Sequence, residues 1–175
     1  PVRPVPGHRN RPAFLAYLAV REPLGFHARN HVATAFWPES DDARARGALR
    51  TAIHYLRTSL GADALLTRGD DEIGLNPERV WCDAVAMLQA FEAGRLEEGL
   101  ELYRGELLQG VLLPDADEFN EWLDGRRRQL RWQAVDAARR LVEQTTRPAD
   151  AVRHARRWLE LAPFPGRAAT DTRGV

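Results

Sequence analysis

Apolar side chains recur along residues 42–60 with the spacing of one helical face: Ala45, Leu49, Ala52, Ile53, Leu56 and Leu60. Arg46, Arg50, His54 and Arg57 follow i, i+4, i+8, i+11 and share a separate face, flanked by Thr51 and Thr58. Ser40, Asp41 and Asp42 stand where short polar or acidic side chains suit a helix start, and Gly61 suits its end. No carboxylate lies between Ala43 and Gly61. The pattern predicts one long helix with a buried underside and a basic outer face.

The flanking segments organise around it. Residues 1–10 carry three prolines and a glycine and read as an extended segment, with Val2 and Val5 able to form a short edge strand. Arg11 to Val20 predicts a first helix that buries Phe14, Leu15, Leu18 and Ala19, with Pro12 in its first turn. Pro23 and Gly25 mark a turn, and a second short helix runs from about Ala28 until Pro38 stops it. Leu65–Thr67 and Glu72–Leu75 read as two strands of a hairpin turning through Gly69. Three helices followed by a hairpin is the order of a winged helix-turn-helix.

From residue 80 the apolar spacing stays helical. Segments at 83–93, 96–108, 118–145 and 148–161 are predicted, with Gly125 a weak point in the third. Ala151, Val152, Ala155, Trp158 and Leu159 form the apolar set of the last one.

Charge sharpens this division. The formal net charge is zero, yet residues 1–61 hold 9 Arg against 4 acids, residues 82–125 hold 2 against 11, and residues 126–161 hold 10 against 4. A basic first part beside an acidic middle suggests a polyanion-binding module joined to something else. An arginine stripe suits a helix in a DNA groove, where guanidinium forks meet phosphates and guanine edges. The plainer alternative is a solvated helix face.

The neighbouring motifs separate those alternatives. With LAYLAV in the first helix, AFWPES before the long one, ARGALRTAIHYLRTSLG within it and LLTRGDDEIGL for the wing, residues 11–76 resemble the winged helix of OmpR-type response regulators. Residues 80–161, with WCDAVAMLQAFEAG, LELYRGELLQGVL, EWLDGRRRQLR and ARRWLELAP, resemble the bacterial transcriptional activator domain of SARP-type regulators, whose paired helices pack like tetratricopeptide repeats. The resemblance implies a mainly α protein that binds double-stranded DNA and recruits RNA polymerase, with side-by-side protomers forming a homodimer on DNA. It implies DNA contacts by Arg46, Arg50, Thr51, His54 and Arg57 of the long helix and by Arg68 of the wing. It further implies a polymerase contact through Trp37, Glu39 and Asp41. Residues 162–175 leave the family pattern as a polar tail, so the last helix is expected to expose apolar surface.

Other chemistry finds little footing. His27 and His31 sit four apart, as zinc ligands on a helix do, but no Glu, Cys or third His accompanies them. Cys82 stands alone and reads as a buried apolar side chain. Asp115, Asp117 and Glu118 read as a solvated acidic loop, and no Gly-rich phosphate loop occurs. Arg126, Arg127, Arg128 and Arg131 form a second basic cluster, expected to pair internally with nearby acids. The expectation is a non-enzymatic, cofactor-free, cytoplasmic regulator with no membrane span. The rival is a protein-interaction scaffold, or a regulatory arm of a longer protein, that uses the same surfaces without DNA.

Overall fold

In a computed structural model, residues 10–162 are described, and they form a mainly helical protein with one small antiparallel sheet. Helix α1 (Asn10–Val20) is followed by strand β1 (Phe26–Ala28) and helix α2 (Arg29–Phe36). The long helix α3 (Asp42–Leu60) leads into the hairpin β2 (Leu65–Arg68) and β3 (Glu72–Leu75). Four helices follow: α4 (Asp83–Glu92), α5 (Leu96–Leu102), α6 (Asp117–Gln144) and α7 (Pro148–Leu161). The extended segment and edge strand anticipated at 1–10 fall outside the described residues except for Asn10, as does the tail beyond Ala162.

The sheet has three strands, not the two anticipated. β3 lies in the centre, with Thr67 opposite Ile73 on one side and His27 opposite Ile73 on the other. A side chain at Gly74 would place its Cβ 2.5 Å from the Gly25 carbonyl oxygen. Glycine there lets the first strand close on the hairpin, so β2 and β3 are tied back to the turn after α1. His27 lies in this strand and His31 in α2, so they do not share a helical face. His27 is buried with Nε2 3.2 Å from the Leu18 carbonyl oxygen, whereas His31 is exposed.

Two hydrophobic cores hold the chain. The first gathers Phe14, Tyr17, Val32, Phe36, Leu49, Ile53 and Ile73 from α1 to β3, and it is completed by Phe119 and Leu123 of α6. Aromatic rings dominate the junction. Phe36 and Phe119 centroids are 4.7 Å apart, Tyr17 meets Phe36 edge-on at 5.3 Å, and Tyr17 meets Trp122 at 4.5 Å. The second core joins Met87, Leu96, Leu100, Leu130, Ala134 and Ala138 across α4, α5 and α6, reaching Val20 of α1. Helix α6 therefore runs unbroken through Gly125 and contributes to both.

Three arginines of the 126–131 cluster are spent internally. Arg126 is only 4% exposed, and its Nη1 donates to Glu22 Oε1 at 2.5 Å and Gln129 Oε1 at 2.7 Å. Arg127 donates to the carbonyls of Leu107 and Leu108 and to Asp124 Oδ1. Arg131 donates to the Leu161 carbonyl. Helix α5 stops at Leu102 and not near Leu108, and the carbonyls of Leu107 and Leu108, outside the helix, are satisfied by Arg127.

Of the anticipated apolar set, helix α7 half-buries Ala151, Ala155 and Trp158 and leaves Val152 and Leu159 exposed, the apolar surface expected of this helix. His154 and Leu161 are buried, while Val152 and Leu159 are 56% and 53% exposed. A polar residue takes the core position because it is satisfied there: His154 Nδ1 lies 2.9 Å from Thr145 Oγ1, and Nε2 lies 3.3 Å from Glu97 Oε1. Cys82 is half-buried at the start of α4 and caps nothing with its side chain.

Candidate nucleic-acid interface

The Asp41 carboxylate accepts the Arg44 backbone N–H at 2.9 Å and caps α3. Gly61 ends the helix at φ 109°, a conformation side chains other than glycine's rarely accept. Ala45, Leu49, Ile53 and Leu56 are buried along the underside, and Ala52 is half-buried. Leu60, the last residue of the helix, is exposed, one turn beyond the last buried residue, Leu56. Four apolar anchors fix the rotation of the helix about its axis, which decides what faces outward.

Arg46, Arg50, Thr51 and His54 are all exposed on that outward side. Among the described residues, Arg46 and Arg50 make no ion pair. The acids of residues 82–125 are drawn elsewhere. Glu97 lies 2.9 Å from Arg153, Glu106 lies 3.9 Å from Arg131, and Asp124 lies 3.0 Å from Arg127. The acidic middle is thus partly neutralised by the basic α6–α7 segment and leaves the α3 arginines alone. Thr51 Oγ1 donates to the Gly47 carbonyl one turn back, which holds the hydroxyl against its own helix.

Arg57 behaves differently. It is half-buried, and its Nη2 donates to the Leu65 carbonyl at 3.2 Å. It therefore fastens β2 to α3, and its Nε is buried without a partner. Arg68 is exposed at the end of β2, with its guanidinium 4.2 Å from the Phe26 ring centroid and 3.4 Å from Glu72 Oε2. The turn beyond it carries exposed Asp70 and Asp71.

Sequence reasoning missed Arg11. Its guanidinium lies over the Tyr55 ring at 3.4 Å from the centroid and hydrogen-bonds the phenol oxygen, adding a cation beside the α3 stripe. A contact 44 residues apart leaves no local spacing signal.

Before α3, Trp37 is half-buried against the first core, its ring 5.8 Å from Phe36. Glu39 is exposed. Asp41 is committed to the helix cap and to Arg44, whose Nε lies 3.3 Å away. The three residues lie in one short connection, but only Glu39 offers an unengaged carboxylate.

Among the described residues, no three His, Cys, Asp or Glu side chains gather in a way that could hold a metal ion. No helix among them is long and apolar enough to cross a membrane. No family model, no curated protein and no solved structure matches the chain.

Proposed function

We propose that this chain is a sequence-specific, double-stranded-DNA-binding transcriptional activator of the SARP type. In this reading, residues 11–76 are an OmpR-type winged helix-turn-helix and residues 80–161 a bacterial transcriptional activator domain with tetratricopeptide-like packing. The observation that carries the proposal is that Arg46 and Arg50 stand exposed and unpaired on a helix held by four buried residues. Helix α3 enters the major groove, where Arg46 and Arg50 meet phosphates or guanine edges and His54 and Thr51 assist. Arg57 acts mainly by holding the hairpin to the helix, and Arg68 reaches the adjoining backbone. Trp37, Glu39 and Asp41 form the surface offered to RNA polymerase. The protein acts without catalysis or cofactor, in the cytoplasm, as a homodimer.

Selection of bound duplexes from a random pool supplies the operator. Arg50→Ala then weakens operator binding by roughly 1–3 kcal/mol if its contact is bidentate to a base, with the fold unchanged by circular dichroism. Wild-type affinity falls steeply as salt rises, because phosphate contacts release counterions. Level operator affinity in Arg50→Ala, or no duplex binding at low salt, refutes the proposal.

A scaffold function is the second reading, favoured by the exposed Val152 and Leu159 on α7. It is the outcome to adopt if the chain binds no duplex yet retains a protein partner that a Leu159→Glu change releases.

A further inference from the structure

The outward side of α3 has two edges. At 3.6 residues per turn, Tyr55 stands about 140° round the helix axis from Arg50. The exposed side chains in the arc between them are His54, Thr58 and Thr51. Thr51 Oγ1 donates to the Gly47 carbonyl and Thr58 Oγ1 to the His54 carbonyl, so both hydroxyls fold back on the helix and this part of the arc is low and neutral. Arg46, Arg50 and Arg57 all lie along the Arg50 edge.

Two other guanidinium groups serve the Tyr55 edge. Arg44 lies 3.3 Å from Asp41 Oδ2, and its charge is offset there. Arg11 arrives from α1, with its guanidinium 3.4 Å from the Tyr55 ring centroid and Nη1 donating to the phenol oxygen. It makes no ion pair among the described residues. A guanidinium has five N–H donors, and the phenol takes one of them. The placement is held from below, because Phe14, Tyr17 and Leu18 of α1 share the first core with Leu49 and Ile53 of α3.

A helix about 10–12 Å across fills a major groove about 12 Å wide, so a row of phosphates passes along each of its edges. Arg46 and Arg50 serve one row, and the other meets only what the Tyr55 edge carries. On the reading that α3 enters such a groove, we propose that Arg11, seated on Tyr55, contacts the phosphate backbone of the second strand. The contact reads no base and fixes how the helix sits between the strands. Tyr55 is a positioning residue: its ring holds a side chain that would otherwise lose rotamer freedom on binding.

The test uses the whole chain with a fluorescein-labelled duplex, either the selected operator or a random sequence, and reads anisotropy across a salt series. Arg11→Ala is expected to weaken both duplexes alike, on the order of tenfold at low salt, the loss of one charge-assisted hydrogen bond. It also reduces the slope of log affinity against log salt by about one. Arg11→Lys keeps the charge and restores that slope. Tyr55→Leu weakens binding when Arg11 is present and adds little to Arg11→Ala. An unchanged slope in Arg11→Ala, with the wild type still binding and Arg50→Ala still losing operator affinity, overturns the Arg11 contact and leaves the reading of α3 standing. A loss that Arg11→Lys does not restore assigns Arg11 to packing and overturns the contact equally. Additive losses at Arg11 and Tyr55 overturn the positioning role. A wild-type chain that binds no duplex overturns the contact and the reading of α3 together.

Discussion

Phe119 is the residue by which the second half of the chain closes the first core. It is 0% exposed, sits 4.7 Å from the Phe36 ring centroid and 5.5 Å from that of Trp122, and also contacts the Tyr17 ring at 6.1 Å. Phe119→Ala removes a whole ring from the middle of this cluster and leaves a cavity that three neighbouring aromatics cannot collapse into. Core truncations of this kind cost about 3–5 kcal/mol. Domains are typically stable by roughly 5–15 kcal/mol, so the variant loses a large part of its margin. For a chain of this size that corresponds to a fall in Tm of roughly 6–20 °C, at about 2–4 °C per kcal/mol. Urea titration followed by tryptophan fluorescence measures it, with circular dichroism at 222 nm as the second probe. Because α6 feeds both cores, the two probes should shift together in a single transition. A cost below about 1 kcal/mol, typical of a position outside the core, refutes the packing argument. So does a wild-type-like transition for α1–β3 beside a separately weakened one for α4–α7.

Three further outcomes follow from local geometry. A methyl added by Gly99→Ala would lie 2.4 Å from Phe91 Cε1 and 3.2 Å from the Met87 carbonyl oxygen. It forces α4 and α5 apart and costs about 1–3 kcal/mol in the urea midpoint. Arg57→Ala frees the Leu65 carbonyl and should cost about 1 kcal/mol, with faster amide exchange in β2 than in α3. Burial holds the His27 pKa below its ordinary value of 6.5. The folded state resists the proton that the unfolded chain accepts, so the stability contributed by neutral His27 is complete above pH 6.5 and declines as pH falls through the depressed folded value. Urea midpoints at pH 7.5 and 5.5 should therefore converge in His27→Gln relative to wild type.

Helix α3 was legible to the residue because its signals agree: an apolar stripe, a cap in Asp41 and a stop in Gly61. The hairpin was legible for the same reason, with apolar residues bracketing Gly69. β1 was not, because three residues carry no period and what makes them a strand is β3 passing alongside Gly74. The end of α5 at Leu102 was not legible either, since the residues after it are held from Arg127, 20 residues from Leu107 in the chain, although Gly105 was a local hint. On α7, Ala151, Ala155 and Trp158 are half-buried as their spacing suggests, but the buried His154 was not legible, because its place depends on Thr145 and on Glu97 far along the chain. At the candidate interface, spacing located Arg46, Arg50 and His54 on one side but could not tell that Arg57 turns to a strand carbonyl. That distinction depends on a neighbour eight residues away whose position only the folded hairpin supplies.

The continuity of α6 gives the molecule a mechanical property. Its 28 residues make a rod about 42 Å long at 1.5 Å per residue. One end is wedged among the rings beneath α1 and α2, and the other carries α7. Between those ends Leu130, Ala134 and Ala138 are buried in the second core, so the rod is held along its length and not at one end alone. Neither half can therefore shed this helix without opening its own core, which binds the stability of the α3 platform to that of the helices after residue 80.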